Sequence, residues 1–277
     1  LQLFEKKGVT QPLISSPVAS GEEASSVIPA LSEQQMQQVY RMMVDEYRLG
    51  QLVMLENTGR ALLALTRRQL GGRLAGQPVT VLAGAGNCGA AGMVTARYLA
   101  NAGAQVVVIL SRPVEALGPA ASHQYQMLLR LEVPVFPHNT LPVTRLAGTL
   151  RQTNLVLDAL MGGGLHGWPT GTEASLIRIV RQVGLSVLSL DLPSGLPPNG
   201  EPPDNPDLIL KAQATLALAL PRLAHIQNHA LELQGQLYLA DIGVPPKLYS
   251  RLNLTVGPLF SASDVILLRR PPVTPAV

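Results

Sequence analysis

Two carboxylates and one glycine turn are the groups here whose placement could do chemistry. Asp158 closes the apolar run Leu155-Val-Leu, and Asp191 closes Leu185-Ser-Val-Leu-Ser-Leu190. Both runs read as buried strands. A strand-end carboxylate is costly to bury unless it is paired, hydrogen-bonded or metal-bound. Each acid is therefore either a cap on the backbone behind it or a group that handles protons or cations. A glycine loop, Gly162-Gly163-Gly164-Leu165-His166-Gly167, follows the first, and Pro193-Ser194-Gly195 follows the second. The hydroxyl and carbonyls of that turn could help hold a monovalent cation. The third feature is Gly84-Ala-Gly86-Asn87-Cys88-Gly89, at the G-x-G-x-x-G spacing. Glycines so spaced let the chain turn tightly and bring bare backbone to a phosphate at a helix N-terminus. A nucleotide-type ligand is the favoured reading because an apolar run, Val79 to Ala83, precedes the turn. Met93, Ala96, Leu99 and Ala100 then mark one face of a helix ending at Gly103.

The elements that must position these groups alternate. Ser32 is a helix N-cap, with Met36, Val39, Met43 and Val44 as the apolar stripe behind it. A second helix runs from about Gln51 to Leu70, with Leu52, Leu55, Leu62, Leu63 and Leu65 inward. Inside it, Met54-Leu-Glu56-Asn57-Thr-Gly59 contains an Asn and a Gly that each cost a helix roughly 0.5–1 kcal/mol relative to Ala. Either Gly59 permits close helix packing, or Glu56 and Asn57 face a ligand cleft. Strands are expected over Gln105–Leu110, Val133–Phe136, Leu155–Asp158, Leu185–Leu190, Thr215–Leu220 and Gln236–Ala240. Helices are expected over residues 118–131, 145–151 and 173–182. This βαβα order predicts an α/β fold, a Rossmann-like three-layer sandwich whose mostly parallel sheet carries helices on both faces. In such sheets ligands sit beyond the carboxyl ends of the strands, where strand order reverses. Asp158 and Asp191 should then meet across one crevice, facing the corner before the Met93 helix.

Bulk properties set the limits. The chain of 277 residues, 47% hydrophobic, is enough for one sizeable core, so residues 28–277 are expected to form a single domain behind a flexible leader, 1–27. A net charge of +3 with no basic run interleaved with aromatics argues against nucleic acid. No apolar run is long enough to span a bilayer, which gives the expectation of a soluble, intracellular, most simply cytoplasmic protein. The single cysteine, Cys88, excludes an internal disulfide. It sits at a helix N-terminus, where thiols become reactive, but a small buried residue is the commoner role. His225 and His229 lack a third ligand for a metal. Ser111-Arg112, after the second strand, would suit the 2′-phosphate of an NADP-dependent dehydrogenase, although no catalytic Tyr–Lys or His–Asp pair accompanies it.

Gly84 to Gly92, Asp158-Ala-Leu-Met-Gly-Gly-Gly-Leu165, Leu190-Asp-Leu-Pro-Ser-Gly195 and Asp241-Ile-Gly-Val-Pro245 occur in the order and context of the YjeF N-terminal domain family. That family includes the NAD(P)H-hydrate epimerases, and Met54 to Gly59 resembles its early helix. The resemblance runs from about Leu31 to Leu268. It implies a repair isomerase that interconverts the R and S epimers of hydrated NADH or NADPH, a carboxylate shuttling a proton at the carbinol while the ring nitrogen stabilises a cationic intermediate. Carried over by position, Asp191 is the catalytic acid. Asp158 and Ser194 are ligands of a potassium ion. Gly86, Asn87, Cys88, Gly89, Ala90 and Ala91 line the substrate, with Gly162, Gly163, Gly164, Leu165, His166 and Gly167 as the loop over it. A homodimer is also implied. The turn departs from the family's G-P-G-N-N-G-G-D-G. Cys88 replaces an Asn that ligates potassium, Ala91 replaces an Asp, and Ala90 replaces a Gly. A thiol is a poor ligand for a hard cation, whereas the backbone amides survive all three changes. The alternative is accordingly a catalytically degenerate nucleotide-binding or scaffold member of the same fold.

Overall fold

The computed structural model describes residues 13–15, 27–137, 140, 143–164 and 167–269. Its strands are β1 (Leu13–Ser15), β2 (Val27–Ile28), β3 (Pro78–Ala83), β4 (Gln105–Leu110), β5 (Val135–Pro137), β6 (Leu155–Ala159), β7 (Val187–Leu190), β8 (Ala214–Leu218), β9 (Gln236–Ala240) and β10 (Val265–Arg269). The longer helices are α1 (Glu33–Asp45), α2 (Gln51–Gln69), α3 (Asn87–Asn101), α4 (Pro119–Arg130), α5 (Val143–Arg151) and α6 (Gly171–Val183). Two short ones follow, α7 (Leu231–Gln234) and α8 (Pro246–Ser250).

The strands form one sheet in the order β2-β1-β10-β9-β8-β7-β6-β3-β4-β5. From β9 to β5 every pairing is parallel. The chain leaves β3 toward β4 and β5, returns to the other side of β3 as β6, and then continues through β7, β8 and β9. Strand order therefore reverses between β3 and β6, which is where an open sheet of this kind makes its crevice. Side chains alternate across the sheet: Val81 packs with α2 and α3, and its neighbour Leu82 packs with α5 and α6. Helices thus cover both faces, as expected.

Local chemistry accounts for the boundaries near the crevice. Ser32 caps α1 by accepting from Gln35 N–H while the Gln35 side chain accepts from Ser32 N–H, a reciprocal pair that satisfies two orphan donors. α2 and α3 pack so closely that a Cβ at Gly59 would lie 2.3 Å from Val94 Cγ1. Close packing is therefore the reason for Gly59. Glu56 turns away from the crevice to bond Arg97 at 2.6 Å and Tyr98 at 2.8 Å, and Asn57 donates to Ile242 O. The reading that placed these two side chains in a cleft is corrected.

Three other expectations change. Leu52 and Val44 are 43% and 39% exposed, so neither belongs to the core. The antiparallel edge formed by β10 against β9 was not foreseen. Leu13–Ser15, inside the stretch expected to be a flexible leader, pairs antiparallel with β10 and β2. The remaining residues of 1–26 lie outside the described ones.

Candidate functional site

The crevice at the switch point opens into a cavity of about 510 Å³, within the range of small-molecule sites. Its floor is the start of α3. Gly84 and Gly89 are required there by backbone contact: a Cβ on Gly84 would stand 2.0 Å from Leu160 O, and one on Gly89 would stand 1.9 Å from Gly84 O. Gly86, the N-cap residue, offers no side-chain cap, so the first turn's amides are left to whatever occupies the cavity. Gly86, Asn87, Cys88 and Ala91 line it, whereas Gly89 and Ala90 are buried behind that wall. From the loop after β6, Gly162, Gly163 and Gly164 line the cavity, and Gly167 does not. Leu165 and His166 lie outside the described residues. Met54, Leu55 and Thr58 of α2 and Ile242 close the apolar side.

Asp191 reaches the cavity wall at the end of β7. Its φ is +65°, a left-handed conformation that costs a non-glycine residue of order 1–3 kcal/mol. Four bonds hold it there. Its N–H donates to Leu216 O at 2.8 Å, and its carbonyl accepts from His225 Nε2 at 2.7 Å. His225 Nδ1 accepts from Arg222 N–H at 2.9 Å, so the ring proton sits on Nε2. The carboxylate accepts from Arg222 Nε and from Gly163 N–H, each at 2.8 Å. Burial alone would raise its pKa, but the Arg222 guanidinium and these bonds hold it below the usual carboxylate range. The cavity therefore meets an ionised Asp191.

Around it stand groups that the sequence reading missed. Arg222 is fully buried and also pairs with Glu33 from the first turn of α1. A Cβ on Gly163 would fall 2.0 Å from Arg222 Cζ, so the glycine is the space into which the guanidinium fits. Burial pushes the Tyr40 hydroxyl up, with Asp191 adding to it, and pushes the buried His225 down to about 4. Both side chains are neutral near pH 7. The signal was present as a lone arginine inside the apolar stretch Ala214 to Ala224.

Asp158 sits beside this wall but not on it. It is 0% exposed, and its oxygens accept from Ser194 N–H and Ser189 Oγ at 2.8 Å each, from Ser194 Oγ, and from Leu160 N–H at 3.3 Å. The two acids lie on the adjacent strands β6 and β7, but only Asp191 lines the cavity, so they do not face each other across it as expected. Cys88, above them, is half-buried and faces Leu190 O at 3.9 Å. Burial, then Asp191 and Asp158, pushes its thiol well up, which makes it an unreactive thiol. A potassium ion takes hard oxygen donors. A carboxylate saturated by four protein donors, a hydroxyl already donating to it, and a protonated thiol do not fit one. Among the described residues no group of three or more His, Cys, Asp or Glu could hold a metal.

Arg112, considered for a 2′-phosphate, instead gives Glu173 two bonds, at 2.7 and 3.1 Å. No helix among the described residues is long and apolar enough to cross a membrane.

A doubly wound sheet with a glycine turn and a carboxylate at its switch point defines a Rossmann-like α/β protein. More particularly, residues 51–224 match the model of the YjeF-related protein N-terminus, and the chain belongs to that family. It is 34% identical over 223 residues to the NAD(P)H-hydrate epimerase of Dehalogenimonas lykanthroporepellens, covering 79% of this chain and 84% of that one. It is 32% identical over 217 residues to the bifunctional NAD(P)H-hydrate repair enzyme Nnr of Moorella thermoacetica, covering 77% of this chain. There it spans only 40% of the relative's length. The crystal structure of the yeast protein YNL200c superposes with a TM-score of 0.75 at 19% identity, over 87% of this chain and all of that one, which supports the fold.

Proposed function

We propose that this chain interconverts the R and S epimers of hydrated NADH and NADPH, as an NAD(P)H-hydrate epimerase. The observation that carries the reading is the ionised Asp191 carboxylate on the cavity wall, across from the uncapped start of α3. The dinucleotide's phosphates lie against the amides of Gly86 and Asn87, and its hydrated ring lies toward Gly162, Gly163 and Asp191. The C–O bond breaks as the ring nitrogen's lone pair moves in to give an iminium ion, the leaving hydroxide taking a proton from solvent and the ionised Asp191 carboxylate facing the positive charge. Water adds back at the same carbon in either configuration and gives its proton to Asp191, which returns it to solvent. Potassium has no step in this scheme, because Asp158, Ser194 and Cys88 do not make a cation site. The active species is a homodimer.

The test follows the pure R epimer by chromatography with purified protein, in potassium and in sodium buffer. Conversion well above the uncatalysed rate, and equal within about twofold in the two salts, is expected. A second reading, a nucleotide binder without turnover, is favoured by Ala91, where a carboxylate is missing from the cavity wall. Tight binding with conversion no faster than in buffer alone would establish that reading and reject the first.

A further inference from the structure

The cavity has two ends, and the strand order separates them. Asp191 follows β7 and stands at one end. At the other stands Glu173, in the first turn of α6, which lines the cavity and bonds the residues that follow β4. β4, β3, β6 and β7 are successive neighbours in the sheet, so the two ends lie about three strand spacings apart, roughly 14 Å. The uncapped start of α3, after β3, lies between them. A pyrophosphate on those amides, with its hydrated ring toward Asp191, sends its other ribose toward Glu173. Glu173 Oε1 accepts from Ser111 Oγ at 3.1 Å and from Arg112 Nε at 2.7 Å, and Oε2 accepts from Arg112 Nη2 at 3.1 Å. A glutamate at the third position of a helix commonly turns back to cap its own first turn. This one reaches across to the end of β4. Its side chain is 8% exposed and that of Arg112 is 52%. Of Ser111, Arg112 and Glu173, only Glu173 lines the cavity, so a ligand meets the carboxylate first, with the guanidinium behind it.

We propose that Glu173 is a specificity residue: it receives the hydroxyls of the adenosine ribose and turns away a 2′-phosphate, so that this chain prefers hydrated NADH to hydrated NADPH. The inference rests on the dinucleotide reading above for its class of ligand and extends it to the choice between the two cofactors. A ribose hydroxyl donates to Oε2, which carries one of the three protein donors. A carboxylate only accepts, and so does an ionised phosphate, which would bring like charge into a site with little water and gain no hydrogen bond there. Arg112 does not reverse this. To pair with the phosphate it would have to leave Glu173, and the acid would then be buried without its cation. Dinucleotide sites on doubly wound sheets also bond the ribose with an acid near the second strand. Here α6 supplies that acid, and the arginine after β4 holds it in place. As a mere tie between α6 and β4 the pair has little value, because an ion pair open to water on one side contributes little to stability.

The experiment measures dissociation constants of NADH and NADPH for the full chain by calorimetry, beside epimerisation of the two R hydrates by chromatography. The wild-type protein is expected to bind NADH about tenfold more tightly than NADPH, or better. Glu173→Gln keeps an acceptor for the ribose, removes the charge and releases Arg112, so it should bring the two constants level or favour NADPH. Arg112→Gln should keep or widen the preference for NADH, because the repulsion is then unopposed. A pair that served structure alone would make the two variants shift alike, and that result overturns the inference. Wild-type protein that binds NADPH as tightly as NADH overturns it too, as does an unchanged ratio in Glu173→Gln. If Glu173→Gln does not fold, the wild-type preference and Arg112→Gln decide. Absence of binding by either nucleotide removes the ligand class as well. Epimerisation of both hydrates without preference rejects only this inference, and a preference for NADH without epimerisation rejects only the catalytic reading.

Discussion

Asp158 and Asp191 look alike in sequence, each an acid at the end of an apolar strand, yet they occupy opposite kinds of environment. Asp158 accepts four bonds from its own protein and shows nothing to the cavity. Burial pushes its carboxyl up, and the donors oppose that push. Asp191 also suffers burial, but Arg222 reverses the effect and Gly163 N–H aims the carboxylate at the cavity. The first acid ties β6 to the turn after β7, and the second is presented for use. Acids that handle protons are found by the asymmetry of their surroundings, not by their place on a strand.

The contrast can be broken most sharply at Asp191. Asp191→Asn should lower the epimerisation rate by about 10²–10⁴-fold while nucleotide dissociation constants move only a few-fold. A variant that keeps wild-type turnover in the chromatographic assay would remove Asp191 from the chemistry. Asp158→Ala should act on stability instead. It strands the buried donors of Ser189, Ser194 and Leu160, and a loss of about 3–5 kcal/mol is expected from urea unfolding. If it unfolds like wild type, Asp158 is no structural tie. A smaller effect separates the neighbours of the two acids by pH. Buried His225 has its pKa lowered from 6.5 to about 4, so below pH 6.5 the unfolded chain takes the proton first. Its contribution to stability is complete above pH 6.5 and is lost as pH falls toward 4, by about 3 kcal/mol in all. His225→Gln should flatten that part of the stability profile, and an unchanged slope would show that the acid loss comes from elsewhere.

Much of this was readable beforehand, for physical reasons that differ by element. β4 and β9 lie at their expected bounds because short β-branched or apolar runs between turns have one reading. The glycine turn was readable because Gly84 and Gly89 each answer a backbone clash of their own. β10 escaped because Val265 to Arg269 is short and half-buried at an antiparallel edge, where neither alternation nor a continuous apolar run is enforced. Arg222 and Glu33 escaped because their meaning is a contact across 189 positions. No local spacing encodes that. That Cys88 faces Leu190 O, beside an Asp158 already saturated by its own donors, could be seen only in three dimensions.

The pairing of Leu31 with the Pro221–Leu223 segment has a bearing on how the protein is made. One part of the pocket wall comes from the first described helix and the part beside it from chain synthesised nearly two hundred residues later, so the seam between them closes only after Arg222 has been made. Contacts of that span are slow to find. A nascent chain halted before Arg222 would carry the glycine turn and Asp191 in full, yet have no chamber to hold a nucleotide.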